Sequence, residues 1–503
     1  MTRTRSLFAV ALILAAGLAQ AQLTSPATAG TPALLTAPEL QKDVDILERA
    51  YTQLHPGLYR YNTPAQMQAH FADLRRQLDH DQSLAQAYLA FSRFAGTVRC
   101  GHTYANFYNQ TDAVAVQVLQ SPTRLPFHFR WLQGRMVVAR NFSGVPNLVP
   151  GTEVLAINGI DTAAILAAMT PLARADGSND GKRVNLLEVM GVDRYESFDV
   201  YLPLLFPQIG VQQELTLRSP GDAQQRKLMV SGQTYAQRLA QHEALEAAKS
   251  QAGAEAGWSV RFTEQGVAVM TLPNWALYDS KFDWKAWLTK AFDEMAKRRS
   301  SGLVIDIRDN EGGLSVGDVL LAHLIDKPLD IPGYVRKTRY RTTPEDLRPY
   351  LDTWDPSFND WGKDVVDLGD GFFRVQREGE QLSGDRIEPL APRFAGKTIV
   401  LVSATNSSAA FEFALAAKQA GLARLLGETT GGNRRGINGG AFFFLRLPNS
   451  KIELDLPLVG QFPTTAQPDA GLEPDIAVAT TAADLAADRD AQMQTALAEL
   501  AGH

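Results

Sequence analysis

The sequence predicts an α/β protein with a helical N-terminal domain, a β-rich middle domain and an α/β core in its second half. Residues 37–95 repeat apolar positions at helical spacing, whereas residues 125–232 are rich in β-branched residues and turn signals. Two short apolar runs, 302–308 and 398–403, each lead into a turn and a helical pattern. Such nearly continuous apolar strands are typical of a parallel sheet that is buried on both faces.

The first 21 residues have the pattern of a secretory signal peptide. Arg3 and Arg5 form a basic start, residues 7–18 are apolar, and Ala19-Gln20-Ala21 provides a small-residue cleavage site. The apolar run is short for a membrane span, and no other stretch of the sequence is long and apolar enough to cross a bilayer. We therefore expect a secreted protein of the bacterial periplasm, without stable membrane insertion.

Composition argues against some classes of function. The chain has 49 Lys and Arg residues and 55 Asp and Glu residues, so loss of Arg3 and Arg5 would change its net charge from −6 to −8. This acidic balance argues against nucleic-acid binding, which needs a basic surface. Cys100 is the only cysteine, so no internal disulfide can form. The sequence contains no HExxH motif, Cys/His ligand spacing or P-loop, and we expect no metal and no cofactor.

Residues 37–120 are expected to form the helical domain. A helical run over 84–94 leads into Gly96-Thr-Val-Arg-Cys-Gly-His102-Thr103, where glycines and β-branched residues favour a turn that presents His102. A single histidine is more often structural than catalytic. A pair between Cys100 and His102 is conceivable, but a lone buried cysteine usually packs as a small hydrophobe.

Residues 125–235 contain a strand pattern, 148–160, that ends at the tight-turn dipeptide Asn158-Gly159 and precedes a helical run. This order resembles the "G-x-x-V/I-L-x-I-N-G" strand and helix of PDZ domains in processing peptidases. The resemblance implies a PDZ-like domain that binds extended peptides at a sheet edge. The alternative is a small β-domain that only packs against its neighbour. Residues 171–205 look like an elaboration that ordinary PDZ domains lack.

Residues 255–480 are expected to form the core, with an insertion at about 340–395. The strand 302–308 runs into Gly312-Gly313, and glycines allow a tight turn that exposes backbone N–H groups. The strand 398–403 leads through Ser407-Ser408 into an Ala-rich helix that stops at Gly421. A serine there either caps the helix or acts as a nucleophile near N–H groups that can stabilise an oxyanion.

The two segments together resemble a known family. GLVIDIRDNEGG at 302–313 resembles the "D-x-R-x-N-x-G-G" motif of the tail-specific, or C-terminal-processing, serine peptidases. Residues 398–432 resemble that family's "S-A-x-E…G…G-E-x-T-x-G" segment. The resemblance implies a crotonase-like (ClpP/crotonase-type) α/β core. It also implies that Ser408 is the catalytic serine and that the N–H groups of Gly312, Gly313 and Ala409 can form the oxyanion hole.

The resemblance also implies the general base, because this chain differs from one branch of the family at the position of the catalytic lysine. That branch places a lysine where this chain has Asn433, followed by two arginines that stay protonated. The tricorn-like branch uses a histidine from a helical domain in a "G-H-T"-like motif, which His102 matches. Its orienting acid usually lies three residues before the final "G-x-x-P-D" glycine, where this chain has Pro468. Asp469 is the nearest carboxylate, and Glu428 and Glu473 stay open as alternatives.

The resemblance implies a serine endopeptidase that cleaves unfolded or extended polypeptides without a cofactor. Its peptide or unfolded protein substrate is the expected partner, whereas the sequence leaves the oligomeric state open. Two alternatives remain at this stage. One is a protein that binds peptides with weak or no catalysis, since Pro468 occupies the acid position. The other is a serine esterase, because the same groups attack esters.

Overall fold

A computed structural model describes residues 34–191, 193–247, 257–278, 280–331, 333–377 and 386–501. The predicted signal peptide lies outside the described residues. The N-terminal domain is helical, with α1 (Ala37–Leu54), α2 (Pro64–Gln77), α3 (Leu84–Thr97) and the short α4 (Asp112–Val114). Capping side chains explain where α2 and α3 begin, because Thr63 and Ser83 accept hydrogen bonds from the backbone N–H of Gln66 and Gln86. The chain then passes through a π-helical turn, Ala115–Leu119, into the middle domain.

The middle domain is an antiparallel sheet with helices packed beside it. Its strands are β1 (Phe127–Leu132), β2 (Arg135–Asn141), β3 (Glu153–Ile157), β4 (Ile160–Asp161), β5 (Gln212–Arg218) and β6 (Gln225–Ser231). Its helices are α5 (Thr162–Met169), α6 (Asp180–Asn185), α7 (Ser197–Leu205) and α8 (Tyr235–Ala247). The strand order is β1-β2-β3-β5-β6, with β4 beside β3. The outer edge of β1 is paired with the chain itself, because Phe129 and Val189 exchange backbone hydrogen bonds.

The second half is built on a mostly parallel sheet. Its strands are β7 (Ser259–Phe262), β8 (Val267–Thr271), β9 (Gly302–Asp306), β16 (Lys397–Val402), β17 (Arg424–Gly427) and β20 (Ile476–Ala477), in the order β20-β17-β16-β9-β8-β7. Helices α9 (Trp284–Arg298), α10 (Val316–Ala322) and α11 (Ser408–Gln419) cover one face. After the short α12 (Ala482–Ala486), α13 (Ala491–Ala501) packs against the other face.

A second, antiparallel sheet joins this core to the N-terminal domain. It has the order β12-β18-β19-β11-β14-β13, and the remaining pair is β10-β15. The bounds are β10 (Leu329–Asp330), β11 (Tyr334–Thr338), β12 (Leu351–Asp352), β13 (Val365–Asp367), β14 (Phe373–Val375), β15 (Arg386–Ile387), β18 (Asn438–Arg446) and β19 (Glu453–Pro463). The insertion predicted at 340–395 thus supplies β12–β15. Side chains of this sheet share a hydrophobic core with α1–α3 and the middle domain.

This arrangement brings the two predicted turns together. Strand β16 pairs in parallel with β9, from Lys397 opposite Gly302 to Leu401 opposite Asp306. Because the carboxyl ends of parallel strands share one edge, the turns that follow β9 and β16 emerge side by side. Among the described residues, no helix combines the length and the hydropathy that a membrane span requires.

Candidate active site

The turn after β16 holds Ser408 at the start of α11 in a strained conformation. Ser408 has a φ of +48°, in the left-handed region that L-residues with a side chain rarely adopt. The buried Asn406 fixes this turn, because its side-chain amide donates to the carbonyl oxygen of Asn310 at 2.9 Å and its Oδ1 accepts from the Ser403 N–H at 2.8 Å. Such strain persists only where the surroundings impose it, and it is concentrated at functional sites.

The structure distinguishes the two adjacent serines. Ser407 is buried, and its hydroxyl donates to the carbonyl oxygen of Glu311 at 3.2 Å. Ser408 is partly exposed. Ser407 thus has a structural hydrogen bond, whereas Ser408 lies partly exposed at the start of α11.

The glycine turn after β9 contacts the serine turn directly. A Cβ built on Gly312 would lie 2.9 Å from each of three atoms, namely the Ala409 nitrogen, the Ser407 oxygen and the Ser408 Cβ. Gly312 and Gly313 have φ values of +112° and +137°. A Cβ at Gly313 would lie 2.2 Å from the Trp275 oxygen. Both positions therefore need glycine, for close approach as well as for φ.

One of the predicted oxyanion donors, the backbone N–H of Gly312, already donates a hydrogen bond within its own turn. The Gly312 N–H donates to Asn310 Oδ1 at 2.9 Å, so the prediction that Gly312 supplies an oxyanion donor does not fit this arrangement. The correction has a local cause, because Asn310 lies two residues earlier and closes the turn onto its own backbone. Gly313 and Ala409 remain the candidate donors, and Ala409 lies in the first turn of α11, where backbone N–H groups lack helical acceptors.

His102 follows α3 on a turn that faces β18. Its ring lies 5.8 Å from the Phe442 ring, and its Nε2 would be 3.6 Å from a Cβ built on Gly439. Burial and the neighbouring Arg174 and Lys182 lower the pKa of His102 to about 4, although Glu311 opposes them. The imidazole is therefore neutral near pH 7 and able to accept a proton.

Cys100 plays no part in that proton chemistry. Its sulfur accepts hydrogen bonds from the His102 backbone N–H at 3.4 Å and from the Asn438 amide at 3.2 Å, so it does not bond the imidazole ring. Burial raises the pKa of the Cys100 thiol to about 11, which keeps it protonated. Cys100 thus shapes the turn that carries His102.

Asp469, the predicted orienting acid, is engaged elsewhere. Its carboxylate accepts hydrogen bonds from the Ser178 N–H and hydroxyl, both at 2.9 Å, and from the Asn433 amide at 2.7 Å. Among the described residues, His102 Nδ1 is buried without a hydrogen-bond partner. The structure therefore does not bring Asp469 to His102. Of the alternatives, Glu428 faces Arg130 at 3.8 Å, and Glu473 is exposed, with its backbone carbonyl oxygen rather than its carboxylate accepting from Lys418 at 2.7 Å.

Sequence reasoning missed a charged cluster beside the site. Glu311 forms ion pairs with Arg174 at 3.0 Å and with Lys182 at 2.8 Å. Burial disfavours ionisation of Glu311, but the two cations outweigh burial and hold its pKa below the ordinary value. Both cations come from the elaboration noted at 171–205, and Glu311 lies inside the glycine motif. The sequence shows the elaboration and the glycine motif separately, and it does not show that Arg174 and Lys182 contact Glu311.

A cavity opens beside Ala409. Its volume is about 70 Å³, and it lies between α10, α11 and the antiparallel sheet. Its walls include the apolar side chains of Leu321, Ile331, Leu415 and Ile437. This is smaller than a small-molecule pocket and leaves room for a few waters or one side chain. A search of the described residues for groups of at least three His, Cys, Asp or Glu able to hold a metal ion found none.

The chain matches the family model of peptidase family S41 over residues 266–478, the segment from β8 to β20. This match indicates a serine-type peptidase. That segment carries Ser408, Gly312 and Gly313, whereas His102 lies outside it. No curated protein matches the chain in sequence.

Solved structures of CPAF share the fold over most of the chain. A structure of mature CPAF complexed with lactacystin is 16% identical, with a TM-score of 0.62, and the match covers 92% of this chain and 98% of that one. A structure of mature CPAF alone is also 16% identical, with a TM-score of 0.61 and coverage of 93% and 98%. The photosystem II D1 C-terminal processing protease is 13% identical, with a TM-score of 0.40 and coverage of 88% and 94%.

Proposed function

We propose that this chain is an endopeptidase that cleaves unfolded or extended polypeptides, with Ser408 as nucleophile and His102 as general base. One observation carries the proposal, namely the left-handed φ of Ser408 at a helix start packed against the Gly312–Gly313 turn. A serine forced into this conformation beside exposed N–H groups has little structural purpose, since helix capping requires no strain.

The proposed reaction follows acyl transfer. The Ser408 Oγ attacks the peptide carbonyl carbon while His102 takes the serine proton. The N–H groups of Gly313 and Ala409 stabilise the tetrahedral oxyanion. The intermediate expels the amine, which receives the proton from His102, and leaves an acyl-enzyme. Water, deprotonated by His102, then hydrolyses the ester and restores Ser408.

The cavity beside Ala409 indicates the substrate side chain. Because its walls are largely apolar and it adjoins the proposed oxyanion donor, we propose that an apolar residue of the substrate occupies it during cleavage. Peptides that differ only at this residue test the idea. Cleavage should favour leucine or phenylalanine over aspartate or lysine by at least about tenfold, as expected from burial of one apolar side chain.

The finer architecture is also proposed. We interpret the core as crotonase-like and residues 125–235 as PDZ-like, since β3, the Asn158–Gly159 turn and α5 occur in the expected order. Strand addition of a peptide would have to use β6, because the edge of β1 is paired with Val189. We also propose export through residues 1–21 to the periplasm, which cell fractionation of the full chain tests.

The decisive experiment is fluorophosphonate labelling combined with digestion of casein. We expect the wild type to label and to cut, Ser408→Ala to lose both, and His102→Ala to lose most of both. Ser407→Ala is the matched control and should keep both, because its hydroxyl only bonds the Glu311 carbonyl. Equal labelling of the wild type and Ser408→Ala would refute the assignment of the nucleophile.

A second candidate function is a peptide-binding protein with weak catalysis. The unpartnered Nδ1 of His102 favours it, because a histidine without an orienting acid loses several orders of magnitude in rate. This hypothesis predicts that the wild type and Ser408→Ala bind casein with equal affinity and that neither cleaves it detectably.

A further inference from the structure

Residues 174–189, here called the connecting segment, leave the middle domain and run along the whole candidate site. Their contacts reach each part of it. Asp176 accepts a hydrogen bond from the Gly101 N–H at 3.0 Å, and Asn179 donates to the carbonyl oxygens of Thr430 and Gly432 at 2.9 Å. The segment ends where Val189 pairs with β1. It is thus anchored to the middle sheet and is placed to hold the site together.

Arg174 makes the most direct connection. Its Nη1 donates to the Gly101 carbonyl oxygen at 2.8 Å, and its guanidinium lies 4.6 Å from the centre of the Tyr104 ring. The same guanidinium bonds Glu311 Oε2 through Nη2 at 3.2 Å. One side chain therefore contacts residues on both sides of His102 and the residue that immediately precedes Gly312. A planar fork of N–H donors suits this task, whereas an ammonium group does not.

Lys182 extends the connection to the nucleophile turn. Its side chain is buried, and its Nζ lies 2.8 Å from Glu311 Oε1 and donates to the Thr405 carbonyl oxygen at 2.8 Å. Thr405 lies three residues before Ser408 in the chain. Glu311 is therefore held by two cations, and through them the segments of His102, Gly312 and Ser408 are fixed relative to one another.

We propose that Arg174 is a positioning residue that holds His102 and the Gly312–Gly313 turn in register through its bonds to Gly101 and Glu311. This inference rests on the proposed function, since it assumes that His102 and the glycine turn act together. Arg174 acts through Gly101 and Glu311 in this role and is not assigned a contact with the substrate. The Glu311 side chain is 41% exposed, and ion pairs that reach solvent add little net stability, so geometry is the better explanation for this pair.

The charges of the cluster provide a readout that a purely structural role would not change. The charged groups that act on His102 are Arg174, Lys182 and Glu311. Loss of the Arg174 charge should raise the pKa of His102 from about 4 towards its ordinary value, whereas loss of the Glu311 charge should lower it further. The acid limb of the pH profile of kcat/KM should therefore move to higher pH when the Arg174 charge is lost and to lower pH when the Glu311 charge is lost.

The experiment measures kcat and KM against pH, with fluorophosphonate labelling rates and melting temperatures, for Arg174→Met, Arg174→Lys and Glu311→Gln. Arg218→Met is the matched control, because Arg218 also pairs with a glutamate, Glu153 at 3.1 Å, but lies on β5 of the middle domain. We expect Arg174→Met to lower kcat by about 100-fold with KM changed less than about threefold, as misplaced catalytic groups do. Arg174→Lys should restore the acid limb but only part of kcat, and the control should match the wild type.

The proposal fails if a folded Arg174→Met keeps kcat within about threefold of the wild type, or if its acid limb stays in place. It also fails if Arg174→Lys recovers full kcat, since charge alone would then suffice. If Arg174→Met does not fold, full kcat in Arg174→Lys or an unmoved acid limb in Glu311→Gln refutes the proposal. A separate result, full activity of His102→Ala, would instead refute the proposed function and leave the contacts of Arg174 unexplained.

Discussion

Replacement of Gly312 by alanine tests whether the glycine turn and the serine turn form one site. The new Cβ would lie 2.9 Å from the Ala409 nitrogen, the Ser407 oxygen and the Ser408 Cβ, all part of the nucleophile turn. Non-bonded carbon atoms prefer about 3.5–4.0 Å, so one turn has to move by roughly 0.5 Å or more relative to the other. A misplacement of about 1 Å can reduce a rate about 100-fold, and loss of one oxyanion donor costs as much.

Gly333→Ala is the matched control. Gly333 has a φ of +116°, close to the +112° of Gly312, but a Cβ there would meet nothing within 4 Å. Both variants thus carry the same backbone strain, of roughly 1–3 kcal/mol, and only Gly312→Ala adds a clash. We expect Gly333→Ala to keep kcat and Gly312→Ala to lose roughly 100-fold or more, at similar KM.

The assay combines kcat on a fluorogenic peptide with the rate of fluorophosphonate labelling and urea denaturation. Gly312→Ala should unfold at lower urea than Gly333→Ala, by roughly 1–3 kcal/mol for the overpacked contact. Equal kcat in the two variants would refute the reasoning, because the two turns would then not depend on each other. An equal loss of kcat in both variants would assign the effect to backbone strain and would also refute the reasoning.

Three further predictions concern single residues. Ser408→Gly should be more stable to heat than Ser408→Ala by about 1 kcal/mol, because glycine relieves the positive φ; equal melting temperatures would contradict the strain. Asp469→Asn should lower kcat by less than about tenfold, because its oxygens bind Ser178 and Asn433; a loss near the roughly 10⁴-fold known for an orienting acid would assign it that role. Burial raises the pKa of Asp455 from 3.8 to about 7, so its stabilising contribution is complete below pH 3.8 and is lost as the pH rises towards 7. Relative to Asp455→Asn, the wild type should lose up to roughly 4 kcal/mol of unfolding free energy over that range, and parallel pH profiles would refute the shift.

The local pattern of the sequence predicted the elements that carry the site. The apolar run at 302–308 lies on β9, and the run at 398–403 lies on β16. The Ala-rich segment that stops at Gly421 lies on α11, which begins at Ser408. These predictions depended on neighbours within a few positions in the chain, where periodicity and turn residues carry most of the information.

Hydrogen bonding at the site was less accessible to sequence reasoning. The motif placed Gly312 and Gly313 together, but only the structure shows that Asn310 takes the Gly312 N–H. Proximity in sequence made Asp469 the nearest carboxylate to the expected position, yet its oxygens are bound by Ser178, from a different domain. A carboxylate bonds the donors that packing brings to it, and those donors are not adjacent in the chain.

The sequence by itself predicted the match to the S41 family model and the α/β core, and it identified the serine pair and the glycine pair, because each follows from short segments with a characteristic order of residues. Only the tertiary structure decided that Ser407 is bonded while Ser408 is strained, and that Arg174 and Lys182 converge on Glu311. Arg174 and Glu311 are 137 positions apart. The physical reason is that ion pairs and close packing depend on distances in space, and folding sets these only when separate domains dock.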